Sequence, residues 1–471
     1  MPRAPKGAPY SGRVASPSAF WHPFSDMAVV AGHELVIESG HGCYVRSEDG
    51  VEYLDATAAL WYCNVGHGRR EIGEAVLAQM GRIAAYSNFG DLATRTTLDL
   101  ADRLSAMAPM TDAKVFFTSG GSDAVDTAVK LVRRYWSAVG QPSRTTIVTR
   151  TRSYHGMHLA GTSLAGIPAN QDGHGPLDAN VVNVDWDDAQ ALADAIDEVG
   201  AERVAAFFCE PVIGAGGVYP APRGYLDAVR GICRDRGVLF VADEVISGYG
   251  RTGAMFASQD LDPDIVLTAK GLTSGYLPMG AVLISGAVAE PFWTSPGVLW
   301  RHGYTYSGHA SAAAAAMANL DIIESEGLVA RVAESQVTLG AALAPLREHE
   351  WVVDVRAGAG LLGAVQVSPD VLGADPTTMP RLISAMRDRG VLTRGLADGS
   401  VQVSPSFVVT RDELRRIASA IDESLVGLGS RRVVRRSVDV DLLPDVTSDE
   451  AGGFDSSDER LLADVPPHHG S

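Results

Sequence analysis

The spacing of hydrophobic residues changes along the chain and divides it into regions. At 35–37 and 43–55, short apolar stretches alternate with polar ones. Turn residues at Gly40–Gly42 and Ser47–Gly50 break them, which predicts short strands. From about 68 to 330, continuous apolar runs alternate with longer helical stretches. The runs predict strands at Lys114–Thr118, Thr146–Thr149, Val204–Cys209, Val238–Ala242, Ile265–Thr268 and Ala281–Ile284. Alternating strand and helix is the signature of an α/β domain with a mainly parallel central sheet. An alanine-rich helix is expected over 311–326.

Beyond about 330 the order changes. Val352–Arg356, a turn at Gly358–Gly360 and Leu361–Val367 predict a hairpin, followed by a helix at 379–389 and short strands at 391–394 and 401–403. Thr410 and Glu413 form a capping box, opening a helix expected to reach about Gly427. The expected organisation is therefore a flexible arm at 1–19 and an N-terminal segment at 20–67 packing with the small domain. A large domain at 68–330, a smaller C-terminal α+β domain at 331–430 and a disordered tail at 431–471 follow. The arginine cluster Arg431–Arg436 reads as a solvated helix end or an interaction patch.

With 471 residues, 46% hydrophobic and 20% charged, the chain has the composition of a globular enzyme large enough for more than one domain. Its net charge of −18 argues against general affinity for nucleic acid or anionic membrane. Nine acidic residues and one arginine lie between Ser437 and Ser471, so −8 of that charge belongs to the tail. Cys43, Cys63, Cys209 and Cys233 form no C-x-x-C pair or metal-ligand cluster, and His468–His469 are too few for a metal site. The cysteines read as reduced, buried thiols of a cytoplasmic protein. No secretory segment is visible, and no apolar run approaches the roughly 20 residues of a membrane span.

Two segments carry the chemistry. Leu239-Phe240-Val241-Ala242-Asp243 is an apolar strand ending in a carboxylate, followed by the Gly-rich loop through Gly253. Ile265–Thr268 delivers Lys270 just before Gly271. Lys270 follows Asp243 by 27 residues, room for one crossover between neighbouring strands. An amine and a carboxylate at neighbouring strand ends suit pyridoxal phosphate, which needs an amine for its Schiff base and a carboxylate for its pyridinium nitrogen. A third element is Thr118-Ser119-Gly120-Gly121-Ser122, a Gly-rich turn feeding a helix N-terminus, which is a ready anion site.

The blocks LFVADEVISGYGRTG and TAKGLTSGYLPMG resemble the signature of the class III (omega) pyridoxal-phosphate-dependent aminotransferases, of fold type I. The likeness runs from about Trp21 to Gly429. It implies a homodimer with shared active sites that moves an amino group from an amine or omega-amino acid to a 2-oxo acid, with pyruvate expected as acceptor. An amino-acid racemase or aminomutase of the same fold type is the alternative. By resemblance, Lys270 is the Schiff-base residue and Asp243 pairs with the ring nitrogen. Gly120, Gly121 and Ser122 form the phosphate cup, Val245 and Tyr154 flank the ring, and Glu210 supports Asp243. Thr305 is expected to reach the phosphate of the other subunit's cofactor. Two positions depart from the pattern: Gly120, where many members have serine, and Ala310, where proline is common.

Trp61, Phe89, Phe20 and Trp21 resemble the aromatic pocket wall of amine transaminases, with ordinary core packing as the competing reading. Such a wall favours an apolar substituent. Arg394 matches the arginine that binds the acceptor's carboxylate, a task suited to a bidentate fork, and that swings aside for an amine without one. Ala215 stands where ornithine- and 4-aminobutyrate-type members have glutamate. Together with Ile246, it fits the pyruvate-dependent amine or β-alanine type better.

Overall fold

The computed structural model describes residues 18–438. Most of the expected arm, up to residue 17, and the acidic tail beyond Val438 lie outside the described residues. The chain divides into two compact units, Met1–Leu425 and Val426–Ser471; the sheets and the site belong to the first.

Seven strands form the central sheet. In spatial order they are Lys114–Thr118, Gly280–Ile284, Ile265–Thr268, Leu239–Asp243, Val204–Cys209, Thr146–Arg150 and Val181–Val184. Neighbours run parallel except Gly280–Ile284, which is antiparallel to both strands beside it. The inner strands are buried along their whole length, with helices such as Gly121–Ala138 packing on them. That explains their near-continuous apolar sequences. The α/β class and all six expected strands are present. Val181–Val184 was not anticipated, because an edge strand with Asn183 exposed has no continuous apolar run.

The strand ending in Asp243 pairs in parallel with Ile265–Thr268, Asp243 opposite Leu267. The two strands are neighbours, as their spacing predicts, yet no regular helix lies in the crossover between them. Asp243 is the last strand residue, and Lys270 begins a single 3₁₀ turn at the same sheet end.

The C-terminal part builds a three-stranded antiparallel sheet from Val352–Arg356, Gly363–Val367 and Ser400–Val403. The expected hairpin turn is there, with Gly358 and Gly360 at φ of +104° and +63°, which glycine adopts without strain. Val391–Leu392 is not part of that sheet; it pairs in parallel with Glu52–Asp55, so the N-terminal segment is stitched to C-terminal chain. The capping box forms: Thr410 Oγ1 accepts from Glu413 N at 3.2 Å and Glu413 Oε2 from Thr410 N at 2.7 Å. Its helix runs to Val438, past the expected end near Gly427. Arginine and valine continue a helix, and no proline intervenes before Pro444.

Arg251, from the Gly-rich loop after Asp243, is completely buried where three chain segments meet. It donates to Asn64 Oδ1 at 2.7 Å and to the carbonyls of Leu361 and Pro405, with its guanidinium 4.7 Å from the Phe407 ring centroid. Burial lowers its pKa to about 9. A guanidinium bonded to carbonyls rather than a carboxylate holds backbone that would otherwise be buried without partners.

Candidate active site

The strand ends and the start of the helix Gly121–Ala138 enclose a cavity of about 400 Å³. Gly120, Gly121, Ser122, Tyr154, Glu210, Asp243, Val245 and Lys270 all line it. Ile246 does too, along with Tyr62, which the sequence did not single out.

Asp243 is buried and both its oxygens are occupied. Oδ1 accepts from the N–H of Val245 at 3.1 Å and Oδ2 from Nδ1 of His155 at 2.8 Å. An ionised carboxylate only accepts, so the imidazole proton sits on Nδ1. Nε2 of His155 is buried without a partner. His155 is therefore the direct partner of Asp243. Glu210, expected by resemblance to support Asp243 from behind, makes no hydrogen bond to it and acts one step further out: it accepts from Tyr154 N at 2.9 Å and Gly214 N at 3.0 Å. Its carboxylate anchors the loop carrying Tyr154 and His155, and burial raises its pKa. The visible signal for His155 was its place beside Tyr154 at a strand end.

Lys270 reaches the same cavity from a backbone at φ +42°, sparsely populated for a residue with a side chain. Burial lowers its amine from near 10.5 to about 8, although Asp243 and Glu210 pull the other way. Desolvation of the ammonium thus outweighs the attraction of the two carboxylates.

Gly120 is the N-cap of the helix Gly121–Ala138 and offers no side-chain cap to its first turn, and Gly120, Gly121 and Ser122 line the cavity. A Cβ on Gly121 would lie 2.9 Å from Cγ1 of Val245, so glycine is what lets the helix start approach Val245. A Cβ on Gly120 would meet nothing within 4 Å and its φ is −179°, so serine would fit; packing does not impose that departure. Ser122 Oγ accepts from Met157 N at 3.1 Å, tying this turn to the Tyr154 loop. A buried amine of lowered basicity, a fixed carboxylate acceptor and an uncapped helix start are the three things pyridoxal phosphate requires, and they share one cavity.

Trp61 and Arg394 lie beside this cavity. The Trp61 ring centroid is 5.9 Å from Lys270 Nζ and 4.3 Å from the Arg394 guanidinium carbon. Trp61 is buried, at φ +61°, and donates Nε1–H to Ser404 Oγ at 3.2 Å. Arg394 lines a second cavity of about 610 Å³, and Tyr62 lines both. Burial lowers Arg394 to about 10. Gln402, missed by sequence reasoning, accepts from Arg394 Nε at 2.8 Å.

Phe20, Trp21, Phe89 and Thr305 are not brought into the cavity of the single chain. The first three are 59%, 79% and 55% exposed, and Thr305 is exposed too. Phe20 and Trp21 lie ahead of the first regular element, with no sheet to draw them inward. Phe89 and Thr305 lie on adjoining segments: Asn88 Nδ2 donates to Ser307 O at 2.8 Å, and a Cβ on Gly303 would be 3.2 Å from Phe89. Tyr86, Leu92 and Tyr306 are exposed on the same segments.

The family model described as aminotransferase class-III matches residues 27–425. A probable aminotransferase of Mycobacterium tuberculosis is 34% identical over 469 residues, covering 92% of this chain and 99% of that protein. The beta-alanine–pyruvate aminotransferase of Pseudomonas aeruginosa is 33% identical, covering 87% of this chain and 96% of its own length. Among solved structures, a PLP-bound amine transaminase from an uncultivated Pseudomonas species superposes with a TM-score of 0.83 at 37% identity. That match covers 88% of this chain and all of that one.

The lysine gives a pH prediction. The neutral amine is the nucleophile, so cofactor uptake by apoenzyme, followed by absorbance, should accelerate as pH rises through about 8 and level off above it. A rate still climbing at pH 10 would mean an amine of ordinary basicity.

Proposed function

The chain belongs to the class III aminotransferases, enzymes of pyridoxal-phosphate fold type I, and on that premise we propose that it moves an amino group from an amine or omega-amino acid to pyruvate. The observation that carries the acceptor reading is Arg394. It is largely desolvated and near Lys270, and among the described residues it has no carboxylate partner. Arg251, also buried, spends its donors on Asn64 and backbone carbonyls, whereas Arg394 has only Nε paired among the described residues, which leaves Nη1 and Nη2 to meet a ligand carboxylate. One such arginine suits a monocarboxylate, and Trp61 and Ile246 make the surroundings apolar. A relative named for pyruvate and β-alanine supports this substrate class. The matched family favours transamination over racemisation or aminomutation.

When bound, pyridoxal phosphate supplies the electron sink for the pair left on the donor carbon as its proton departs. Lys270 Nζ, neutral above about pH 8, is the base placed to take that proton and return it. Asp243 presents a fixed negative charge to the ring nitrogen, and His155 holds its orientation. The N–H groups of Gly120, Gly121 and Ser122 would hold the phosphate. Tyr154 and Val245 confine the ring, and Glu210 fixes the loop that carries Tyr154.

The same reading makes the enzyme a homodimer. Thr305 and Phe89 lie together on an exposed surface that also bears Tyr86, Leu92 and Tyr306. A second copy covering that surface would receive Thr305 at its phosphate and place Phe89, Phe20 and Trp21 near its substrate. Four free, buried cysteines fit a cytoplasmic protein, and no described helix is long and apolar enough to cross a membrane.

Arg394→Ala removes the charge-assisted partner of the acceptor's carboxylate, a loss of about 1.5–3 kcal/mol. The KM for pyruvate should rise about tenfold to a hundredfold, while the half-reaction with an amine lacking a carboxylate changes much less. Equal damage to both would make Arg394 structural. Thr305→Ala mixed with Lys270→Ala tests the dimer. One site of a mixed dimer then carries both lesions and the other neither, so activity should recover on subunit exchange. Exchange without recovery would count against a shared site.

A further inference from the structure

Arg394 and Gln402 face each other across a short hairpin. Gln402 N donates to Arg394 O at 3.0 Å, Thr393 Oγ1 to Gln402 O at 2.6 Å, and Leu396 N to Ser400 O at 2.8 Å. Cross-strand neighbours in such a pair have their side chains in reach, and Arg394 Nε meets Gln402 Oε1 at 2.8 Å. Arginine has no acceptor atom, so the glutamine must turn its oxygen toward it, and the amide orientation is fixed. The other face of Arg394 lies against Trp61 at 4.3 Å. The guanidinium is therefore held on one edge and one face, leaving its Nη1 and Nη2 edge for a ligand.

Gln402 itself is completely buried in a strand whose four residues are all buried. Its Nε2 has no hydrogen-bond partner. A buried amide N–H without a partner is costly, and a valine between Val401 and Val403 would avoid that cost. The polar side chain is kept there although the fold does not pair its donor.

We propose that Gln402 is a specificity-determining positioning residue, tethering Arg394 so that the enzyme favours substrates carrying a carboxylate over amines lacking one. The tether opposes displacement of the guanidinium, since moving it breaks the bond to Gln402 and uncovers Trp61. An acceptor carboxylate meets an arginine already oriented, whereas an amine lacking a carboxylate must compete with it for space. The inference rests on the reading of Arg394 as the carboxylate-binding group.

The test is a double-mutant cycle on the holoenzyme with Gln402→Leu, Arg394→Ala and the pair, Gln402→Met replacing the leucine variant should that one fail to fold. Gln402→Leu should raise the KM for pyruvate about five- to tenfold with little change in kcat, because one oriented charge-assisted contact becomes unoriented. Its single-turnover rate with 1-phenylethylamine, relative to L-alanine, should increase severalfold. On the Arg394→Ala background the glutamine substitution should add no further loss for pyruvate, which a merely structural role would not produce. Gln402→Glu, which keeps an acceptor for Nε but adds a competing carboxylate, should raise the KM for pyruvate without improving the amine. Equal additive losses on both backgrounds, or an unchanged ratio of amine to alanine rates, would overturn the tether. If Arg394→Ala leaves the KM for pyruvate unchanged, the reading of Arg394 fails instead.

Discussion

The candidate active site depends on a conflict between desolvation and charge at the end of two paired strands. Asp243 and Leu267 are opposite each other in a parallel ladder, so the carboxylate and the lysine just beyond reach one buried cavity. Burial disfavours the ammonium, and Asp243 and Glu210 favour it. Desolvation wins by enough to bring the amine to about 8 and stops short of making it permanently neutral. An amine so balanced can bond covalently and also carry a proton, which transamination asks of one residue. A misplaced carboxylate would upset that balance, and so each of the two has fixed partners. His155 and the N–H of Val245 hold Asp243, and two backbone N–H groups hold Glu210.

The surrounding fold keeps these groups still. The crossover from Asp243 to the lysine strand lacks a regular helix, and Arg251 compensates by binding carbonyls from distant segments. Val391–Leu392 ties C-terminal chain to the N-terminal sheet, and Arg394 follows directly from that tie. The arginine thus belongs to one segment and the wall it leans on, Trp61, to another. Their contact exists only in the folded chain.

Much of this was legible in the sequence because buried parallel strands and cofactor chemistry leave local marks. The runs ending at Asp243 and before Lys270 are apolar on both faces, and the Gly-Gly-Ser turn opens a helix with no side-chain cap at the cavity. His155 was visible but unreadable, since nothing in Ser153-Tyr154-His155-Gly156 says which carboxylate lies 88 residues away. Glu210 was expected, by resemblance, to support Asp243; only the folded arrangement distinguishes a carboxylate that binds backbone from one that binds imidazole. Gln402 left a faint mark, a polar residue between two valines in a strand. Its meaning depended on a cross-strand pairing that sequence spacing does not reveal. Phe20, Trp21, Phe89 and Thr305 are exposed on the single chain, so their proposed roles turn on a second copy.

The most direct test of the central claim is where the cofactor becomes attached. Holoenzyme reduced with borohydride and digested should yield one phosphopyridoxyl-labelled peptide, the one containing Lys270, and Lys270→Ala should yield none while still folding. A label on any other lysine, or retention of cofactor with no label at all, would contradict the assignment of the two strand ends as the catalytic centre.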